Sequence, residues 1–286
     1  MPSKLNQRVQ QRLFAAGVAV SKQPPFVKIN SKYRGRRRML RELGPELGRV
    51  VTWAASDAPA PDGELGAIFA ETPNVHKWLH YLPVYESALP RDRPVRMLEI
   101  GVARGGSLQM WRRFLHSESV IVGVDIEPDT AKFDDPSRQI HVRVGSQTDT
   151  EFLQRVVDEF GPFDVILDDG SHMNSHIVQS FRFLFPNGLA SNGVYVVEDI
   201  SANYWRPYRD DRMSFPDFTK WLIDAMHAHY QLARAEVFYR AGGEHRLREL
   251  KVPLATTLVE KVSFYDSIAV IHRADGQRTV PVSVFQ

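Results

Sequence analysis

From Val95 onward, short apolar runs alternate with stretches whose apolar residues recur every three or four positions. The runs predict strands over 95–100, 119–125, 139–144, 163–169 and 192–198. The stretches between them predict helices near 106–116, 149–160 and 174–185. This alternation implies right-handed βαβ units and a mostly parallel sheet. A helix over 215–232 and a polar stretch to about 257 follow. The chain then changes character: Glu260 to Tyr265, a turn at Asp266-Ser267 and Ile268 to His272 read as a hairpin, so the sheet should end on an antiparallel strand. Upstream, the segment His76 to Leu89 places Trp78, Tyr81, Leu82, Tyr85 and Leu89 on one helical face. Leu5, Val9, Leu13 and Ala16 predict an amphipathic helix over 4–17, ended by Pro24-Pro25. A second helical stretch is expected near 37–54, and Ser56 to Gly63 reads as a linker. The expected division is an extension over 1–62 and a main domain over 63–286.

Charge separates the same two parts. Up to Arg41 there are eleven Lys and Arg and no acidic residue. With the whole chain at +2, the remainder carries about −9. A basic arm of this kind meets an anionic surface (lipid headgroups, nucleic acid), docks on a partner subunit or the acidic body, or stays solvated. There are no cysteines, which excludes disulfides, zinc–thiolate sites and thiol nucleophiles. No apolar run is long enough to span a bilayer, and the N-terminus lacks the pattern of a secretory signal. A cytoplasmic protein is expected, with the arm offering peripheral contact to the inner face of the membrane.

Two strand ends carry the candidate chemistry. Asp168-Asp169-Gly170-Ser171-His172 follows one apolar run and Glu198-Asp199 follows another. Ligands in open α/β sheets collect at the carboxyl ends of strands, and an all-carboxylate set from two such ends suits a hard divalent cation. Asp169, Glu198 and Asp199 are therefore the candidate ligands for Mg²⁺ or Mn²⁺. His172, three residues past Asp169, is placed to act as a general base on a cation-bound hydroxyl. Asp168 is expected on the cofactor side of its turn. A third strand end reads Glu99-Ile100-Gly101-Val102-Ala103-Arg104-Gly105-Gly106-Ser107. Its glycines let backbone approach a ligand, Ser107 is a candidate helix cap, and Asp125, with Ile126 beside it, ends the next strand in position to bind ribose hydroxyls. The spacing G-x-x-x-G-G differs from the dinucleotide fingerprint and suits a cofactor without a pyrophosphate.

With the terminal hairpin, this pattern resembles the class I S-adenosylmethionine-dependent methyltransferases, whose fold implies a Rossmann-like, seven-stranded sheet. In that fold Gly145-Ser146-Gln147 would border the adenine. The resemblance narrows further. The runs Phe163 to His172, Ser180-Phe181 with Leu184-Phe185-Pro186, and Gly193 to Asp199 with Tyr204-Trp205 are similar to metal-dependent sugar O-methyltransferases of the mycinamicin and macrocin type. So are Ser107 to Trp111, Val122 to Ile126, Gly145 to Gln147 and His80 to Glu86. The resemblance implies metal binding by Asp169, Glu198 and Asp199, proton removal by His172, and a sugar hydroxyl of a glycosylated natural product or a cell-envelope glycan or glycolipid as acceptor. Tyr81, Tyr85, Tyr204 and Trp205 are candidates to pack on the sugar ring, with core packing the competing role for the first two. The segment from Trp205 to about Pro216 is a candidate lid. The family's Thr-Asp-Lys segment appears here as Thr72-Pro73-Asn74, with Lys77 displaced. Alternatives are a phenolic or other small acceptor and, from a different class, an RNA-directed or non-catalytic protein recruited through the arm. A homo-oligomer formed through the N-terminal region is a further possibility.

Overall fold

The structure, a computed structural model, describes residues 9, 12, 36–57, 59–233 and 235–285. The expected helix over 4–17 and most of the basic arm therefore lie outside the described residues. The chain forms two units, Met1–Ala60 and Pro61–Gln286. In the first, α1 (Arg36–Glu42) and α2 (Gly44–Leu47) replace the single helix expected over 37–54. Gly44 takes φ +74 between them, which interrupts the helical path.

The second unit is built on a seven-stranded sheet of order β3-β2-β1-β4-β5-β7-β6. β1 (Arg96–Ile100), β2 (Val120–Asp125), β3 (Ile140–Val144), β4 (Phe163–Asp168) and β5 (Leu189–Val197) run parallel, while β6 (Val259–Phe264) and β7 (Ala269–Arg273) form the antiparallel hairpin. The class I methyltransferase fold expected from the sequence is thus present. The inner strands β2 and β4 are mostly apolar because both faces are covered, whereas the edge strand β3 alternates with His141 and Arg143. On one face, α6 (Thr150–Phe160) and α7 (Asn174–Asn187) bury Leu153, Ile177 and Phe181 against Leu98, Val122 and Ile166. The other face packs Tyr81, Tyr85 and Trp111 against Met97, Ile121 and Val165.

Two elements depart from expectation. α3 (Gly63–Glu71) was not anticipated; Asp62 caps it by accepting from the Gly63 N–H. The segment 76–89 is not one helix but a 3₁₀ turn over Leu79–Tyr81 leading into α4 (Leu82–Ala88). Trp78 precedes that turn in extended backbone and is half exposed, so it does not share the buried face of Tyr81 and Tyr85.

Because β1 lies between β2 and β4, the strand order reverses at β1 and β4, and the carboxyl ends of β1, β4 and β5 are adjacent. That edge is where a doubly wound sheet opens a crevice. Two backbone contacts hold it together: the Asp169 N–H donates to the Ile100 carbonyl at 2.9 Å, and the Glu198 N–H to the Asp168 carbonyl at 3.0 Å.

Candidate active site

The loop after β1 approaches its neighbours too closely for side chains. Gly101, at φ +96, lies so near the β4 loop that a Cβ there would stand 2.1 Å from the Asp169 carbonyl oxygen. Gly105, at φ +72, opens α5 (Gly106–Phe114), and a Cβ would meet the Phe133 ring at 2.6 Å. The expected cap does not form: the Ser107 hydroxyl donates to Glu99 Oε2 at 2.9 Å instead. Glu99 also accepts from Trp111 Nε1 and is fully buried, so it lies beneath the crevice floor rather than in it. Burial pushes its carboxyl up to about 7, partly offset by the Lys77 ammonium 3.9 Å away.

Asp125, at the end of β2, fastens the glycine loop. Its Oδ2 accepts from the Val102 and Ala103 N–H groups at 2.8 and 2.9 Å, and its Oδ1 from Glu127 N–H. The carboxylate remains partly exposed at the rim, where Arg104 and Ile126 (65% exposed) also stand. After β3, Gly145 packs under Phe152 and the Ser146 hydroxyl pairs with Thr148 Oγ1 at 2.9 Å. Gln147, expected at the adenine, is a strut. Its Oε1 accepts from Ser171 N–H at 2.9 Å, and its Nε2 points to Asp168 at 3.2 Å. Asp168 likewise faces inward: 1% exposed, it accepts from the Ser180 hydroxyl at 2.6 Å, and burial raises its pKa. The structure therefore places both under the crevice floor, because their polar atoms are taken by protein partners.

The carboxylates that follow are arranged differently. Asp169 gives Oδ2 to the Lys77 ammonium at 2.5 Å, while its Oδ1 lies 4.0 Å from His172 Nε2. Asp199 gives Oδ1 to Trp78 Nε1 and to the Tyr81 hydroxyl, both at 2.9 Å, while its Oδ2 lies 3.8 Å from the same His172 nitrogen. Each aspartate thus has one oxygen anchored by the 77–81 segment and one turned toward the imidazole. Glu198, grouped with them in the sequence, is oriented elsewhere. Both its oxygens lie on Lys77 Nζ, at 2.8 and 2.9 Å, and it is 2% exposed. Burial and the nearby Asp169 charge raise the Glu198 pKa, with Lys77 opposing them. For Lys77 burial acts to lower the pKa, but Asp169, Glu198 and Glu99 outweigh it and hold the ammonium charged.

His172 and Asp199 adopt φ of +56 and +50, a left-handed conformation uncommon for side-chain-bearing residues. Such backbone persists only where surrounding contacts impose it, and it turns both side chains toward one point. Behind His172, His176 Nδ1 pairs with the Ser171 hydroxyl at 2.8 Å.

Tyr81 and Tyr85 are fully buried, so they support the site and do not offer ring faces to a ligand. Tyr204 and Trp205 are about half exposed, as is Trp78. Tyr208, which the sequence reading passed over, bridges the two groups: its ring is 6.1 Å from His172 and 6.3 Å from Trp205. The candidate lid is tethered, since Asp210 accepts from the Ser175 N–H at 3.0 Å and from its hydroxyl. Lys77 and Trp78 were also missed as site residues. The displacement of Lys77 from the family's usual position was the available signal.

One donor atom from each of Asp169, His172 and Asp199 lies within 4.8 Å of the others. Two carboxylate oxygens at that spacing form a donor set that fits a small divalent cation, with the imidazole nitrogen beside it. With the glycine-loop crevice one strand away, the fold is that of the class I methyltransferases. Residues 98–200 match the family model described as a methyltransferase domain. The chain is similar over part of its length to several sugar O-methyltransferases. It is 39% identical over 166 residues to the 8-demethyl-8-alpha-L-rhamnosyl tetracenomycin-C 2'-O-methyltransferase of Streptomyces olivaceus, covering 53% of this chain and 43% of that one. It is 43% identical over 122 residues to the mycinamicin VI 2''-O-methyltransferase of Micromonospora griseorubida, covering 40% and 29%. The matched segment spans less than half the length of each of these relatives. Among solved structures, MycE methyltransferase from the mycinamycin biosynthetic pathway, in complex with Mg, SAH and mycinamycin VI, superposes with a TM-score of 0.61 at 26% identity. That match covers 93% of this chain and 68% of MycE.

Proposed function

We propose that the protein transfers a methyl group from S-adenosylmethionine to a sugar hydroxyl, on a glycosylated small molecule or a glycan, with Mg²⁺ or Mn²⁺ held at Asp169 and Asp199. One observation carries this reading: an oxygen of each aspartate and Nε2 of His172 converge beside the glycine-loop crevice. Its support is the donor chemistry of the two carboxylates, with a basic nitrogen beside them, together with the similarity to sugar O-methyltransferases.

A sugar hydroxyl is a very weak acid, and a bound cation would lower its pKa while the sulfonium donor supplies the methyl group. The chain's own residues do the rest. His172 Nε2, between the two free carboxylate oxygens, takes the hydroxyl proton as the oxygen attacks. Trp78 and Tyr81 hold Asp199 in one orientation, and Lys77 does the same for Asp169, so the acceptor meets a preorganised edge. Trp78, Trp205 and Tyr208 present aromatic surface around the opening for the sugar and what it is attached to. Glu99 and Asp125 shape the donor side by fixing Ser107 and the glycine loop.

The test is a methyl-transfer assay with labelled S-adenosylmethionine against glycosides and catechols, with and without EDTA. Transfer to a glycoside that stops in EDTA and returns with Mg²⁺ is expected. Exclusive methylation of catechols would replace the acceptor class, and full turnover in EDTA would remove the cation from the reading.

A further inference from the structure

Lys77 is an unusual tenant for a cation-binding edge. Its side chain is 1% exposed, and its three N–H bonds are matched by three short contacts: Asp169 Oδ2 at 2.5 Å and the two Glu198 oxygens at 2.8 and 2.9 Å. A fourth carboxylate oxygen, from Glu99, lies 3.9 Å away. Three acidic groups this close would repel one another strongly without a counter-charge, and burial denies them water. The ammonium answers both needs. It also occupies the oxygens with which Glu198 would otherwise reach a metal.

We propose that Lys77 is a resident cation that withdraws Glu198 from metal binding. The divalent ion then has a two-aspartate site, Asp169 and Asp199, flanked by His172. This rests on the cation-dependent reading above and deepens it, because the expected ligand set of three carboxylates becomes two. Three features support it. Glu198 has both oxygens on Lys77, whereas each aspartate retains one oxygen facing His172. Glu198 is 2% exposed, while the side chains of Asp169 and Asp199 are 22% and 26% exposed. Lys77 and Trp78 are consecutive, so a single short segment sets which oxygens remain available on both strand ends. A fixed positive charge beside the site also lowers its attraction for a second cation.

The experiment is a titration of the full chain with Mn²⁺ alone, free ion being read from its electron paramagnetic resonance signal, together with melting curves. D199N is expected to weaken Mn²⁺ by roughly thirtyfold or more, because a free ligand oxygen is lost. E198Q is expected to leave affinity within about threefold of wild type. K77M releases Glu198 and removes the repelling charge, so Mn²⁺ should bind about tenfold tighter and raise the melting temperature more than in wild type. Loss of binding in E198Q as large as in D199N overturns the proposal, and that comparison stands even if K77M does not fold. Wild-type protein that binds no Mn²⁺ overturns the cation-dependent reading as well, which separates the two failures.

Discussion

The ends of β4 and β5 each carry two consecutive acidic residues, and in each pair the members have opposite surroundings. Asp168 and Glu198 are buried, and Asp169 and Asp199 stand at the crevice. Alternation along a strand explains the split, since successive side chains leave on opposite faces and the second residue begins the turn. The two buried members differ in how they are compensated. Asp168 is met by neutral donors, Ser180 and Gln147, whereas Glu198 is met by an ammonium. A doubled acidic motif at a strand end is therefore one structural carboxylate and one available for chemistry, and only the buried partner shows which kind of support the structural one has.

The sharpest way to break this comparison is to neutralise the exposed members. Asp199→Asn should lower methyl transfer by about a thousandfold or more while leaving S-adenosylhomocysteine affinity near wild type, measured by calorimetry. His172→Ala should reduce the rate by roughly 10² to 10⁴ in the same assay while leaving Mn²⁺ affinity within a few-fold of wild type. Neutralising a buried member should register in stability instead. Asp168→Asn, which disturbs the contacts from Ser180 and Gln147, should cost about 1–3 kcal/mol in chemical denaturation and leave Mn²⁺ binding unchanged.

The smallest effect concerns pH. The Glu99 carboxyl has its pKa raised from 4.5 to about 7 in the folded protein, so the proton-bound form is favoured there. Its contribution to stability is full below the unfolded value near 4.5 and declines as pH rises toward 7. In metal-free buffer, Glu99→Gln should therefore lose less stability than wild type between pH 5 and pH 8. Parallel melting curves would contradict the assigned burial.

Much of this was legible in the residues. The five parallel strands and the terminal hairpin appear within a few positions of where periodicity put them, because strands buried on both faces leave long apolar runs. Strand ends and a short turn also brought Asp169, Glu198, Asp199 and His172 to one edge, although Glu198 turns to Lys77 instead of joining the others. What the pattern could not carry was direction. Nothing local distinguishes Glu198 from Asp199, or Gln147 as a strut from Gln147 as a ligand contact. Those outcomes depend on Lys77, Ser171 and Ser180, which are distant in sequence or unremarkable within it. Trp78 was misplaced because its helical spacing with Tyr81 suggested a shared face, while the chain enters that turn in extended backbone.

Gly101 has a consequence for the spacing across the crevice. Its missing side chain is what lets the loop after β1 rest on the backbone of Asp169. The separation of the glycine loop from the Asp169 edge is thus gauged by main chain against main chain, with no flexible side chain in the measurement. Replacing that hydrogen by the methyl of alanine would act as a shim, prising the two loops apart.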